Sequence, residues 1–295
     1  MSIKNLSLLL LAHLPAPVFA CAICMTGDPT LNTMGTEKLY EGRLRFSADY
    51  LNRTETTGVA GIDETKLKDN RLTLGLAYAP TRRLNLAIRV PVLSKTFDTA
   101  DLSRTKSSGI GDVDLSARYT LWLDKEQRPS QMFGVLAGLR TPTGREQFDS
   151  KGNSLDIDVQ RGTGSWIPNF GAWYGYYHYP YFFYASGVYH QPLNKGFQEF
   201  EAGKALVSTF LAQYALNYQF ALQFGLDTRW STKNTQMGET DQNSGGFIAF
   251  VTPGLVYHVS EDVLLNLSLQ IPAYKNLHGE HNEGKSLRLG VTYDF

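Results

Sequence analysis

Few residues in this chain have the types and spacing to do chemistry, and they fall in three places. The first is Cys21-Ala-Ile-Cys24-Met25, which holds the only two cysteines. Two thiolates and a thioether would suit a soft metal such as Cu(I). The same pair could close a disulfide in an oxidising compartment or cycle as a thiol–disulfide couple. Cys21 follows Val18-Phe19-Ala20, a loose lipidation motif that the bulky Phe19 weakens. Haem attachment requires His after the second Cys, where Met25 stands. The second place is His278-Gly-Glu-His281. Two imidazoles could touch a metal, but no third ligand is patterned with them and Gly279 breaks helical spacing, so this reads as a solvated loop. The third is His258-Val-Ser260, a His and a Ser too sparse for a nucleophile system. No GxSxG and no paired carboxylates accompany them. The chain therefore reads as a non-enzyme without cofactors, and Cys21, Cys24 and Met25 are its thin metal candidates.

The segments that must position these residues repeat a single pattern. From Gly42 onward, stretches of about ten residues alternate apolar and polar, the period of a β-strand with one face in hydrocarbon and one in water. Ser286 to Phe295 is the clearest: Leu287, Leu289, Val291, Tyr293 and Phe295 share one face. The others are Arg43–Leu51, Asn70–Ala79, Leu84–Leu93, Asp112–Trp122, Met132–Thr141, Trp166–Tyr176, Tyr181–His190, Leu206–Tyr218, Phe220–Trp230, Phe247–Val259 and Val263–Ile271. Pro91, near the end of the third, is expected at a rim. The intervals 79–83, 123–131, 177–180, 217–219 and 260–262 are short. Those at 52–69, 94–111, 142–165, 191–205, 231–246 and 272–285 are long and polar. This strict alternation predicts an all-β chain: a transmembrane antiparallel up-and-down β-barrel of about twelve strands, with short periplasmic turns and long extracellular loops. Tyr78, Trp122, Tyr176, Tyr218, Phe220, Tyr257 and Phe295 would ring one interface, and Tyr50, Trp166, Tyr189 and Trp230 the other.

Composition agrees. The 295 residues are 42% hydrophobic and 19% charged, with 16 Tyr, 16 Phe and 27 Gly. No apolar run past the N-terminus approaches the roughly 20 residues of a membrane helix. Formal charge is zero, which gives no case for nucleic acid. Residues 1–20 read as a secretory signal, with Lys4, an apolar Leu6–Ala12 and cleavage after Val18-Phe19-Ala20. Residues 21–41 are then a periplasmic leader tucked into the barrel mouth, and 42–295 the barrel. An even strand count places both termini in the periplasm of a Gram-negative bacterium. The aromatic ending resembles the signal by which the barrel-assembly machinery recognises its clients.

Positions opposite the lipid face form a lumen list: Arg43, Arg45, Arg71, Arg89, Arg118, Arg140, Arg229 and Arg288 against Asp49, Asp112, Asp114, Asp227 and Asp294. The arginines either make a positive track for anionic solutes or pair with the aspartates across strands. Scarcity of water in a narrow barrel favours pairing.

Gly109-Ile-Gly-Asp-Val-Asp-Leu115, Arg140-Thr-Pro-Thr-Gly144, Gly162-Thr-Gly-Ser-Trp166 and Pro253-Gly-Leu-Val-Tyr257 resemble one family over residues 42–295. It is the set of outer-membrane barrels labelled as transporters of the meta-pathway of phenol degradation. The resemblance implies a channel among outer-membrane lipids for small solutes, aromatic or anionic. Two alternatives are a partner-docking barrel whose CxxC leader engages a periplasmic redox or metal protein, and a lipid-modifying enzyme.

Overall fold

The computed structural model describes residues 30–31, 41–126 and 128–295. The signal segment, Cys21, Cys24 and Met25 lie outside the described residues. Twelve strands build the wall. They are β1 (Leu44–Thr57), β2 (Thr65–Thr81), β3 (Leu84–Asp98), β4 (Arg104–Ile110, resuming as Asp114–Leu123), β5 (Gln131–Arg140) and β6 (Ile167–His178). Then follow β7 (Tyr181–His190), β8 (Ala205–Ala215), β9 (Phe220–Ser231), β10 (Gly246–His258), β11 (Val263–Leu277) and β12 (Ser286–Asp294). Each pairs antiparallel with its sequence neighbours, and β12 closes on β1 from Arg45↔Asp294 to Asn52↔Leu287. Closure leaves no sheet edge at the seam, which a lipid-embedded backbone requires.

Side-chain alternation sorts the wall into two faces. Leu72, Leu74, Leu76 and Tyr78 of β2 are exposed outward, while Asp69 and Ala77 are buried inward. In β6 and β7, where the sequence is aromatic throughout, pairing decides the faces. Phe170, Tyr174, Tyr181 and Phe183 point out, and Trp173 and Tyr184 are buried. Aromatic pairs mark the short-turn end, with Phe220 stacked on Tyr257 at 4.6 Å and Tyr293 edge-on to Phe295 at 4.5 Å. At the other end, Phe170 meets Tyr189 at 5.4 Å.

Three expectations need correction. First, the early long-loop intervals are mostly strand: only residues 58–64 separate β1 from β2, and only residues 99–103 separate β3 from β4. The alternation continues past the apolar belt with polar residues facing out, because a strand above the hydrocarbon no longer needs lipid-compatible side chains. Second, β11 likewise runs to Leu277, with a register shift at Ala249/Phe250. Third, Pro91 lies within β3, not near its end. Its carbonyl accepts from Gly111 N at 2.8 Å, so its missing N–H faces β4. Without that donor the ladder cannot continue, and β4 breaks at residues 111–113.

The loop between β5 and β6, residues 141–166, folds inward. Ile157 packs with Ile167, Phe200 and Ala202, and Val159 packs with Leu67 and Phe97. Burying each of these branched side chains contributes about 1.5–3 kcal/mol, which holds the loop across the mouth.

Candidate functional site

The site is the lumen, and its charges are arranged from the sequence upward. Successive inward positions of neighbouring strands face one another in the register, so an arginine on one meets a carboxylate on the next. Arg45 donates through Nε to Asp294 at 2.5 Å. Arg140 Nε donates to Asp114 at 3.0 Å, and Arg89 lies 3.5 Å from the same carboxylate. Arg71 lies 2.9 Å from Asp69, with Arg53 at 3.6 Å. Arg229 pairs with Glu283. Asp227 accepts from Thr209, Thr252 and Gln270 at 2.9, 2.9 and 3.1 Å. Arg288 donates to Gln270 at 3.3 Å. Arg43 stands at the rim before β1, its side chain 42% exposed and paired with Asp262, so it does not line the lumen.

Arg118 sits differently. Its guanidinium lies 5.2 Å from the Trp173 ring and 5.6 Å from the Tyr184 ring, and those two rings stack at 6.2 Å. Cations gain from such ring faces most where water is scarce. Met132, Leu136, Val188 and Leu211 complete an apolar wall around them. Arg118 Nη2 also donates to Tyr184 Oη at 3.2 Å and to Thr30 Oγ1 at 2.6 Å. Thr30 is buried and Leu31 packs against the apolar wall, so these two residues of the expected leader stand inside the barrel. Bordering that wall at Leu31 and Leu211 is a cavity of about 40 Å³, lined also by Asp49, Asp227, Asn266, Ser268 and Arg288. That is room for a water or two.

Asp112 lines no open lumen. At the break in β4 it accepts from Gly144 N at 2.9 Å, Thr163 N at 2.9 Å and Thr163 Oγ1 at 3.3 Å. Thr143 Oγ1 donates to Gly111 O at 3.2 Å and accepts from Val113 N at 2.8 Å. A Cβ on Gly162 would lie 2.1 Å from Asp112 Oδ1, so only glycine lets the loop reach the carboxylate. Three of the four glycine-rich stretches thus form one knot that ties the inward loop to the wall.

Several lumen residues escape the sequence reading. Arg53, Glu55, Asp69 and Lys95 lie in intervals expected to be loops, yet each continues the inward parity of its strand. Lys95 Nζ donates to Asp158 O at 2.8 Å and Gln160 O at 2.7 Å, which helps to hold the loop. His281 is buried, not in a solvated loop: residues His281–Glu283 pair with β1, Glu55 opposite Glu283 and Thr57 opposite His281. Ligand atoms of Glu55, His281 and Glu283 lie within 4.8 Å of one another, as a metal would need. Arg53, 2.9 Å from Glu55, and Arg229 on Glu283 already supply the positive charge. His278 Nδ1 lies 3.2 Å from Ser244 O. Ser260 accepts from Val263 N at the β10–β11 turn, a turn residue's role.

A family model described as "Putative MetA-pathway of phenol degradation" matches residues 86–276, well over half of the sequence. The chain belongs to that family. No curated protein matches it. Among solved structures, an outer-membrane channel from Pseudomonas putida F1 is 18% identical, with a TM-score of 0.68 over 88% of this chain and 98% of that one. The translocator domain of the autotransporter NalP from Neisseria meningitidis is 13% identical, with a TM-score of 0.54 over 90% and 93%. A deletion mutant of TodX, a monoaromatic hydrocarbon channel, is 9% identical, with a TM-score of 0.51 over 91% and 94%. At such identities the likeness establishes the fold: a closed twelve-stranded barrel of the outer-membrane type.

Proposed function

We propose that the chain is an outer-membrane channel for the passive movement of small organic solutes, with its short turns in the periplasm. The apolar wall carries this reading. Trp173, Tyr184 and their neighbours form an apolar, aromatic surface buried inside the barrel, beside inward positions that are ion-paired. Rings of a small aromatic solute would pack on that wall, and a carboxylate or hydroxyl on the solute would meet Arg118. Ion pairing of Arg45, Arg71, Arg89, Arg140 and Arg229 argues against a continuous positive track as the source of selectivity. A solute on this wall would meet Thr30 and Leu31, which stand against it.

The test is planar-bilayer conductance and liposome swelling with small aromatic acids against sugars of equal size. Wild type should pass the aromatic acids faster, and Trp173→Ala should erase that preference while leaving ion conductance. Absence of both conductance and solute-dependent swelling would sink the channel reading.

A further inference from the structure

The strands that overrun the apolar belt carry a cluster of positive charge on their outer face. Outward positions of β1, β2, β3 and the first part of β4 stay in register: Thr54, Lys68, Thr96 and Lys106 form one row. Thr56, Lys66, Asp98 and Arg104 form the next row outward. Parity identifies the face. Leu67 and Asp69 on either side of Lys68 are buried, as is Ser107 beside Lys106, whereas Lys66, Lys68, Arg104 and Lys106 are exposed.

Neighbouring strands lie about 4.8 Å apart and alternate residues about 7 Å apart. The four cations therefore occupy the corners of a field about 7 by 10 Å. One carboxylate stands among them. Asp98 accepts from Arg104 Nε at 2.5 Å, and that hydrogen bond, with Lys68 and Lys66 beyond, holds its pKa below the ordinary value. Lys66, Lys68 and Lys106 form no ion pair among the described residues. The field begins beyond one polar row, Asn70, Ser94 and Ser108, above Leu72, Val92 and Ile110, the last exposed apolar outward residues of β2, β3 and β4. Elsewhere the same rim carries Trp166, Phe170 and Trp230. A cationic sector one polar row beyond a lipid-facing belt lies at headgroup depth, where juxtamembrane Lys and Arg attract anionic lipid.

Resting on the proposed orientation of the channel, with the long loops outside, we propose that Lys66, Lys68, Arg104 and Lys106 bind the phosphates of lipopolysaccharide in the outer leaflet. The β1–β4 sector would then carry a bound glycolipid.

The experiment is native mass spectrometry of the folded full-length barrel with bisphosphorylated lipid A, in wild type and in the Lys66→Gln/Lys68→Gln/Lys106→Gln variant. Arg104 is kept so that its bond to Asp98 survives. Wild type should retain lipid A, and affinity should fall at least tenfold in the variant, on dephosphorylating the lipid, or on raising salt. Equal retention by the variant, or equal binding of dephosphorylated lipid A, would overturn the assignment. Planar-bilayer conductance of the same preparations separates the two claims: a conducting barrel that ignores the phosphates loses this inference and keeps the channel.

Discussion

Asp114 is the carboxylate on which the lumen's charge arrangement can be tested most sharply. It is buried on β4, takes a hydrogen bond from Arg140 Nε at 3.0 Å, and lies 3.5 Å from Arg89 Nη2. Asp114→Asn keeps the side-chain volume and removes the negative charge from between two guanidinium groups. A hydrogen bond between ionised partners is worth about 1.5–3 kcal/mol. The Arg89 contact, at the limit of hydrogen-bond distance, is better treated as a screened pair, about 1 kcal/mol in water and about 4 kcal/mol at an effective dielectric of 20. Lumenal water draws both toward the lower figures, so we expect a loss of about 3 kcal/mol in urea unfolding of the reconstituted barrel. Double-mutant cycles apportion it: coupling of Asp114 to Arg140 should be about 2 kcal/mol, and to Arg89 about 1 kcal/mol. The substitution also raises the local charge by one. A potential change of about 1 kcal/mol per unit charge favours anions and disfavours cations about fivefold each, read as the reversal potential in a salt gradient. Couplings below about 0.5 kcal/mol for both pairs, the range of exposed salt bridges, would refute the claim that these charges hold the interior together.

Other substitutions probe the inward loop and the seam. Gly162→Ala places a methyl against Asp112 and should strip the loop of its anchoring hydrogen bonds, at about 1 kcal/mol each. Limited trypsin digestion should then cut at Arg145, Lys151 or Arg161 far faster than in wild type. Lys95→Met removes both donations to the loop carbonyls and should raise single-channel conductance. At the seam, burial alone would raise the Glu283 pKa, but Arg229, with His281 and Arg53, outweighs it and holds the group well below its ordinary 4.5. A depressed folded pKa means the unfolded state binds the proton first. The contribution is therefore complete above about pH 4.5 and is lost only as pH falls through the lower folded value. Amide exchange at residues 281–283, corrected for the intrinsic pH dependence, should stay slow down to pH 4 in wild type and be faster at every pH in Glu283→Gln.

The wall was legible because lipid imposes a rule on every second residue. The lipid face of β11 is unambiguous where Val263, Leu265, Leu267 and Leu269 recur at period two; β7 has the expected bounds, but its aromatics on both faces left the register to pairing. The rule lapses above the hydrocarbon. There Thr54, Lys66 and Lys68 face water outside while Arg53, Glu55 and Asp69 face each other inside. Polar on both faces looks like a loop, and only continued pairing shows a strand. The break in β4 was foreshadowed by Pro91, but its meaning depended on whether the missing donor faced β2 or β4, which is a property of register. The glycine-rich stretches were legible as a family mark and silent about their joint purpose, because Asp112, Gly144, Gly162 and Thr163 converge only through the inward loop.

The pairing of the charges bears directly on what such a lumen can select. The chain is formally neutral, and inside the barrel most arginines stand beside a carboxylate, so each pair presents a dipole and little net field. Selection by charge is correspondingly weak at those levels. A different surface is the ring wall at Trp173 and Tyr184 with Arg118 against it, which borders the polar cavity at Leu31 and Leu211. On the proposed function, an apolar solute would gain from the rings but would have to desolvate Asp49 and Arg288 in the neighbouring cavity. A solute with one flat apolar face and one polar edge would satisfy both at once. On the proposed function, the barrel would discriminate by amphipathic shape at this level, with the paired charges holding the surrounding wall.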